Sequence, residues 1–489
     1  MSFILLFMFM GGWGADSTLV EASSSAVDSC RVDGVADDTC HVLPEWHPKT
    51  NHARAIAETA GFNLGLLAFN RYVQKAPFAY VTWKSIGRNF KPSSWYWDSD
   101  IYRTNLFFHP YHGALYHQAA RSSGVAFYPS LAYSMGGSLM WELVGEMEHP
   151  SINDFVSTSV GGWAIGEVTH RVAQQIYARK SRGGKRVMNE VLAAVISPFG
   201  AFNRLLDGDM LKPWRPSAVR YVPMDVRVGM MGRAYGKNGG ETNKSGLIAV
   251  DLTYGSPTDE TNRLPYDYFK VRLGIDPMAG QYKVNHLNII AQVKNRTLRQ
   301  REHSRWTVGV YQHFDYYATD DQQNKPFFKL SEAASVGIGL VGEQGKGKNR
   351  WQEAFYINAM ILGGAASDYT DNRLNRDYSM GSGYSLKSHT HYRYGRNLRL
   401  DLLVHAHHLF SWHGYEDEDA TKHYLEYSVM GDRGNAITLL VQPELSVRLY
   451  RRLHLSASGL FVYRHFRYAY RPRTTMRGNE MRVGLQWEL

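Results

Sequence analysis

The residues best equipped for chemistry lie in the first half of the chain: His109, His112, Glu142, Asp154, Glu167 and His170. Imidazoles and carboxylates move protons near neutral pH and ligate metals, so the group offers a general acid, a general base or part of a metal centre. Glu167 and His170 have the Glu-x-x-His spacing that di-iron carboxylate proteins use on helices. Such a centre needs a second pair and two further Glu residues, and only one pair is present. The preferred reading has these His residues satisfying helix ends and interhelical hydrogen bonds, so neither a metal nor a cofactor is expected. Asp154 follows Pro150 and Ser151 and reads first as part of a helix start, where a carboxylate meets free amides. No Gly-x-Ser-x-Gly elbow, phosphate loop or Gly-x-Gly-x-x-Gly fingerprint stands in a usable context.

The elements that must position these residues are helices. Between His52 and Pro213 the apolar period is about 3.6, with helices predicted from Asn51 or His52 to Tyr72, Ala114 to Arg121, Ala126 to Glu148, Phe155 to Tyr177 and Val187 to Ile196. Ser130, Ser134, Ser138, Glu142 and Glu146 recur at steps of four, as do Thr158, Gly162, Gly166 and His170. Small residues at that spacing let backbones approach closely, so these two helices are expected to pack on each other.

From Arg220 onward the period becomes two. Val222 to Met230, Phe269 to Ile275, Leu287 to Val293 and Leu398 to Val404 each alternate apolar and polar residues. Ile437 to Leu449 and Leu453 to Tyr463 read as a hairpin about Arg451 and Arg452, with the rhythm broken at Pro443, and Met481 to Leu489 ends on the apolar face. Short turns alternate with longer polar loops such as Asp320 to Asn324 and Tyr415 to Thr421. Roughly twelve strands of this kind make an antiparallel transmembrane β-barrel. The competing reading is a soluble antiparallel sheet with one face on a core. A barrel interior must be filled, plugged or hydrated. Arg399, Asp401, His405 and His407 on one strand face, with Glu444, Arg448 and Arg464 from neighbours, form its expected polar network.

The fold class is therefore α+β: a probable signal segment at 1–15, a polar segment at 16–50, an α-helical domain at 51–213 and the barrel at 214–489. Phe3 to Met10 is an apolar run of signal-peptide length without a basic start, and nothing else is apolar for long enough to span as a helix. The two cysteines, Cys30 and Cys40, form a disulfide candidate in an oxidising compartment. The net charge of +10 is scattered over wet faces and loops, so no nucleic-acid partner is expected. A compact cluster at Arg179, Lys180, Arg182, Lys185 and Arg186 reads as a solvated turn before it reads as a lipid-phosphate contact.

The terminal alternation, with Trp487 and Leu489 on the apolar face, resembles the last strand of Gram-negative outer-membrane barrels, which usually end on Phe. That resemblance implies an outer-membrane location, outer-membrane lipids as partners and the barrel-assembly machinery as a partner during insertion. Asn105 to Gly113 (NLFFHPYHG), Trp141-Glu142, Pro150 to Asp154 (PSIND), Gly161-Gly162 and Gly166-Glu167 resemble an uncharacterised envelope-protein family in which a helical domain of unknown function precedes an outer-membrane barrel. It implies no catalytic residues. Two functions follow as expectations. One is a non-enzymatic barrel, structural or passing a solute or lipid, with the helical domain periplasmic and against the membrane or else inserted as a plug. The other is a membrane-surface lipid-modifying enzyme using the His, Glu and Asp residues named above.

Overall fold

A computed structural model describes residues 50–489 except 99, 180, 211, 213–221, 260–261, 281, 321–325, 372–375 and 416–428. The signal segment and the Cys30–Cys40 pair lie outside the described residues.

Helices α1 (His52–Phe69), α2 (Trp83–Asn89), α3 (His109–Ser122), α4 (Phe127–Met140), α5 (Ile152–Val156), α6 (Gly162–Ala178), α7 (Gly184–Ile196) and α8 (Pro198–Leu206) come first. Twelve strands follow: β1 (Met224–Lys237), β2 (Asn243–Tyr254), β3 (Phe269–Ile275), β4 (Val284–Arg301), β5 (Ser304–Asp320) and β6 (Pro326–Lys346), then β7 (Asn349–Asp371), β8 (Arg376–Tyr394), β9 (Leu398–Ser411), β10 (Gly434–Tyr450), β11 (Leu453–Tyr468) and β12 (Thr474–Glu488). Each pairs antiparallel with its neighbours, and β12 returns to β1 with Val228 opposite Trp487 and Met230 opposite Leu485, so the sheet closes. Closure removes the edges that hydrocarbon could not satisfy. Arg451, with φ 43°, makes the tight turn between β10 and β11. Pro443 lacks the N–H that a ladder needs, and the β10–β11 register skips from Val441 to Glu444 around it.

Strand parity fixes inside and outside. On β10 to β12, Ile437, Leu445, Phe461, Met481, Val483 and Leu485 point outward and are exposed, while Thr438, Glu444, Ser456, Glu480 and Gln486 are buried in the lumen. An apolar outer band around a polar interior is the form in which a β-chain crosses an outer membrane. The protein is an outer-membrane β-barrel protein, and the soluble-sheet reading falls.

The helical block lies against the outside of this wall. The outward residues Phe269, Ile289, Phe314, Tyr316, Leu362, Tyr378 and Met380, from β3 to β8, share one core with Tyr102, Leu106, Phe107, Ile165 and Val172 of the block. Gln312 donates to the Val160 carbonyl at 3.0 Å and Trp97 meets Trp412 edge-on at 5.6 Å between ring centroids. Gln175, near the end of α6, reaches the Tyr254 hydroxyl at 3.4 Å on the side of the short turns. Trp412 begins the long connection to β10 on the opposite side, so the block runs along the wall instead of hanging beyond one rim. A plug is excluded because the lumen is filled by the barrel itself. A periplasmic seat below the rim does not match the placement either. No strand pattern reveals whether lipid or protein covers an outward face.

Inside the block, α3 is central. A Cβ on Gly113 would lie 1.7 Å from the Thr158 carbonyl oxygen, and one on Gly162 would lie 2.4 Å from Gly113 Cα. Ser134 donates to the Gly113 carbonyl at 3.2 Å, and Gly137 leaves room for the Tyr116 ring. The serine row of α4 and the glycine row of α6 thus pack on opposite flanks of α3, not chiefly on each other as their spacing suggested. The small residue that both rows need is Gly113.

Candidate functional site

Around α3 the chemistry-bearing residues separate into two groups. At its start, His109 Nε2 lies 3.5 Å from Asp154 Oδ1. Ser151 caps α5 by accepting from the Asp154 N–H at 3.3 Å, and its own N–H donates to Glu142 Oε2 at 2.6 Å. Asn153 donates to Asp154 Oδ1 at 2.9 Å and accepts from the Asp98 N–H at 2.8 Å. Asn105 turns its amide nitrogen to Asp98 Oδ2 (3.2 Å) and Asp154 Oδ1 (3.3 Å), and its carbonyl accepts from the Tyr378 hydroxyl of the barrel. Asp154 is therefore both the first-turn acid of a short helix and a member of a buried polar cluster. Three π-helical turns, Thr104–Phe108, Trp141–Gly145 and Ser157–Gly161, flank this cluster. Single-turn π segments are frequent at functional sites because they re-aim side chains within a helix.

Electrostatics in the cluster favour neutral forms. Burial first, then the neighbouring carboxylates of Glu146 and Asp154, push the Glu142 carboxyl well above its ordinary range; burial, Asp98 and Glu146 do the same to Asp154. Burial lowers His109 to about 3, with a further push from His112, and lowers His112 to about 4. A protonated carboxyl beside a neutral imidazole is the pairing that a general acid and a general base require. His112 faces Phe62 and Trp141 edge-on and makes an aromatic contact with His109 at 6.3 Å between centroids.

The second group sits about 12 Å along α3. Glu167 accepts from Arg121 and Arg171 at 2.8 and 2.7 Å and meets His117 Nε2 at 2.8 Å. Burial alone would raise the Glu167 carboxyl, but Arg121, His117 and Arg171 outweigh it and hold it well below its usual range. Arg171 continues to Asp267 of the β2–β3 connection at 3.1 Å, tying block to barrel. His170 is lowered to about 3 by burial and Arg121. This ion cluster, with Glu167 and His117 fully buried and the two arginines partly so, locks helices together, and it is separate from the His109 group. Sequence reasoning missed Asp98, Asn105, Asn153, His117 and Arg121. Asn105 and Asn153 were quoted, in NLFFHPYHG and PSIND, but without a role.

The lumen holds a longer polar network. Lys387 Nζ lies 2.8 Å from both Asp315 Oδ2 and Glu332 Oε2, and His407 Nε2 lies 3.5 and 3.3 Å from the same oxygens. His405 Nε2 meets His389 Nε2 at 2.7 Å. Asp401 pairs with Arg399 and His391, and Glu444 with Arg227 and Arg272. Arg464 is buried against Asp368 and the Ala366 carbonyl. Arg448 is exposed at the rim by the β10–β11 turn and stands outside the network, because a strand's last residues lie beyond the packed lumen. Toward the long loops, Tyr235, Tyr317, Phe328, Leu330, Leu440, Leu460, Val462 and Met476 from both walls close an apolar layer across the lumen. Toward the short turns a cavity of about 1110 Å³ opens, lined among others by Lys270, Glu343, His391, Arg399 and Asp401.

Among solved structures the chain is similar to the NanC porin (8% identity, 53% of this chain, 100% of that chain, TM-score 0.27) and the KdgM porin in complex with disordered oligogalacturonate (9%, 54%, 99%, 0.24). It is similar in the same way to the outer-membrane channel DcaP of Acinetobacter baumannii (6%, 55%, 97%, 0.23). At TM-scores of this size the likeness carries no argument, and the barrel stands on its own ladder and belt. None of the curated proteins matches the chain. Residues 94–199, the part of the helical block that holds the His109 cluster and α6, match the family described as "Domain of unknown function (DUF3943)".

Proposed function

We propose that this outer-membrane protein works at its lipid-facing flank, with the barrel as a closed scaffold and the helical block immersed in the bilayer beside it. The observation that carries this reading is the reversed polarity of the helices. α1 buries Glu58, Thr59 and Asn63 and exposes Ile56 (60%) and Leu64 (59%). α4 buries Ser130, Ser134 and Ser138 and exposes Tyr128, Met135 and Leu139. α7 and α8 bury Asn189 and Asn203 and expose Val187, Val191, Phe202, Leu205 and Leu206. A water-facing block hides its apolar side chains; one whose solvent is hydrocarbon turns small and polar groups inward. No described helix is long and apolar enough to cross a membrane alone, so the block shelters its polar groups collectively.

The role follows as structural or lipid-passing along the flank. Free solute passage through the lumen is disfavoured by the apolar layer and the ion pairs that fill it. The deciding experiment is site-directed spin labelling at Leu64→Cys and Val191→Cys, in a Cys30→Ser, Cys40→Ser background, in lipid vesicles. Greater accessibility to oxygen than to a polar nickel relaxant supports immersion; the reverse pattern returns the block to water.

The second reading, a lipid-modifying enzyme, is favoured by Asp154, its carboxyl raised by burial, 3.5 Å from His109 inside a block that faces lipid. Loss of lipid turnover in His109→Ala and Asp154→Asn with the barrel intact supports it. Unchanged lipid composition in cells carrying either variant removes it.

A further inference from the structure

We propose that the lumen holds a divalent transition-metal ion of the zinc type between Asp315, His405 and His407. One ligand atom from each of the three lies within 4.8 Å of the other two, and all three side chains are buried. They come from β5 and β9, which face each other across the interior, so only barrel closure brings them together.

The spacing is that of a coordination shell. Zinc bonds of 2.0–2.2 Å in tetrahedral array place neighbouring ligand atoms about 3.3–3.6 Å apart. His407 Nε2 lies 3.5 Å from Asp315 Oδ2 and 3.3 Å from Glu332 Oε2, long for hydrogen bonds and right for a shared ion. Both ring nitrogens of His407 and Nδ1 of His405 are buried with no hydrogen-bond partner. Buried ring nitrogens are normally paired, so His407 Nε2, which faces the Asp315 and Glu332 carboxylates, and the orphaned Nδ1 of His405 call for a ligand. The outer shell is present as well: His389 Nε2 meets His405 Nε2 at 2.7 Å and orients that ring. Asn288 donates to Asp315 Oδ1 at 2.9 Å, and Ser385 donates to Glu332. Glu332 Oε2, 3.3 Å from His407 Nε2, borders the triad without belonging to it.

A row of imidazoles leads from the short-turn cavity toward the site. The cavity at the short-turn mouth reaches His391 and Asp401, and the His391 ring lies 6.0 Å from His389, which touches His405. On the other side the apolar layer closes the lumen. Lys387, 2.8 Å from Asp315 and from Glu332, holds the carboxylates in place without metal. A dication must share those oxygens with it, so Lys387 weakens binding while keeping the site assembled. Binding releases any proton held by the ring nitrogens.

The test is a titration of the folded, untagged full chain in detergent with Co²⁺ and Zn²⁺, after chelator treatment and in the Cys30→Ser, Cys40→Ser background so that no thiolate competes. One equivalent of either ion per chain is expected, with intense visible Co²⁺ bands of a four-coordinate nitrogen and oxygen site. His405→Gln and His407→Gln should weaken binding at least tenfold. His408→Gln, which points outward against Tyr384, should leave it unchanged, and Lys387→Met should tighten it. Heat-modifiable gel mobility checks that each barrel is folded; if a variant is not, the wild-type stoichiometry and Co²⁺ spectrum decide. Less than a fifth of an equivalent in wild type, or equal binding by the His405→Gln, His407→Gln double variant, overturns the site.

Discussion

Leu64→Arg is the perturbation that separates immersion of the helical block from exposure to water. Leu64 lies on the outer face of α1 and is 59% exposed, and Val191 on α7 is 56% exposed. Leu and Arg have nearly equal helix propensity, so the backbone contributes almost nothing to the difference. In water such a surface substitution falls within about 0.5 kcal/mol. In hydrocarbon, leucine contributes roughly −0.5 kcal/mol and arginine costs about 2.5–3.5, so each substitution should destabilise the inserted fold by ~3–4 kcal/mol. Snorkelling toward the headgroups lowers this near an interface. At 1.4 kcal/mol per tenfold, the folding equilibrium moves by at least ~100-fold. The assay is urea-dependent folding into lipid vesicles, read by heat-modifiable mobility for the barrel and by protease resistance for the block. Glu302→Arg is the control, since Glu302 sits in the tight β4–β5 turn with its side chain 88% exposed. If Leu64→Arg and Val191→Arg cost no more than Glu302→Arg, the block does not lie in hydrocarbon and the reversed-polarity argument fails.

Other perturbations follow from the same packing. Gly113→Ala must push α3 from α6, because its Cβ would sit inside the Thr158 carbonyl; overpacking of this kind costs ~3 kcal/mol or more, whereas Gly136→Ala, with nothing nearby, should gain about 0.5–1 kcal/mol in block stability. Equal protease resistance of the two variants would contradict the α3–α6 crossing. Glu167→Gln takes the shared carboxylate from Arg121 and Arg171 and leaves Arg171 only Asp267, and a loss of about 3 kcal/mol is expected on denaturant titration. For Asp154, whose carboxyl is raised when folded, the stabilising contribution is full below the ordinary carboxylate range and is lost as pH rises through the raised value. Protease protection of the block should therefore fall with increasing pH, and Asp154→Asn should make that fall shallower, Glu142 carrying the remainder; a pH-independent wild type would contradict the raised carboxyls. Single-channel recordings should find wild type closed, and paired truncation of Tyr317 and Leu440 to Ala should raise conductance by thinning the layer across the lumen.

Much of the barrel was legible because alternation is a local property. Ile437 to Leu449 and Met481 to Leu489 declare one apolar and one polar face whatever surrounds them, and a hydrocarbon exterior keeps that pattern regular. The capping role of Ser151 was legible for the same reason, since it depends on the four consecutive residues from Ser151 to Asp154. The helix contacts were legible only in part: the rows of small residues were visible at steps of four, but their shared partner, Gly113 on α3, was not. The His109 cluster was half visible. His109 and Asp154 stood out by type, while Asn105, Asp98 and Asn153 matter only through where α3, α5 and the wall meet.

What the sequence by itself determined is thus a barrel of roughly twelve strands, the two faces of each strand, the helical block and the membrane that the barrel requires; the closed count of twelve came from the ladder. Three things were decided only by the tertiary structure. The block stands against the outer wall, because Phe314 and Tyr316 point outward whether lipid or protein covers them, and periodicity cannot say which. Glu167 and His170 are separated in role from His109, because partners such as Arg121 and His117 arrive from another helix. Asp315 meets His405 and His407 across the lumen because closing twelve strands sets which inward faces oppose. Those pairings depend on the shear and circumference of the barrel, quantities that belong to the whole sheet and to no single strand.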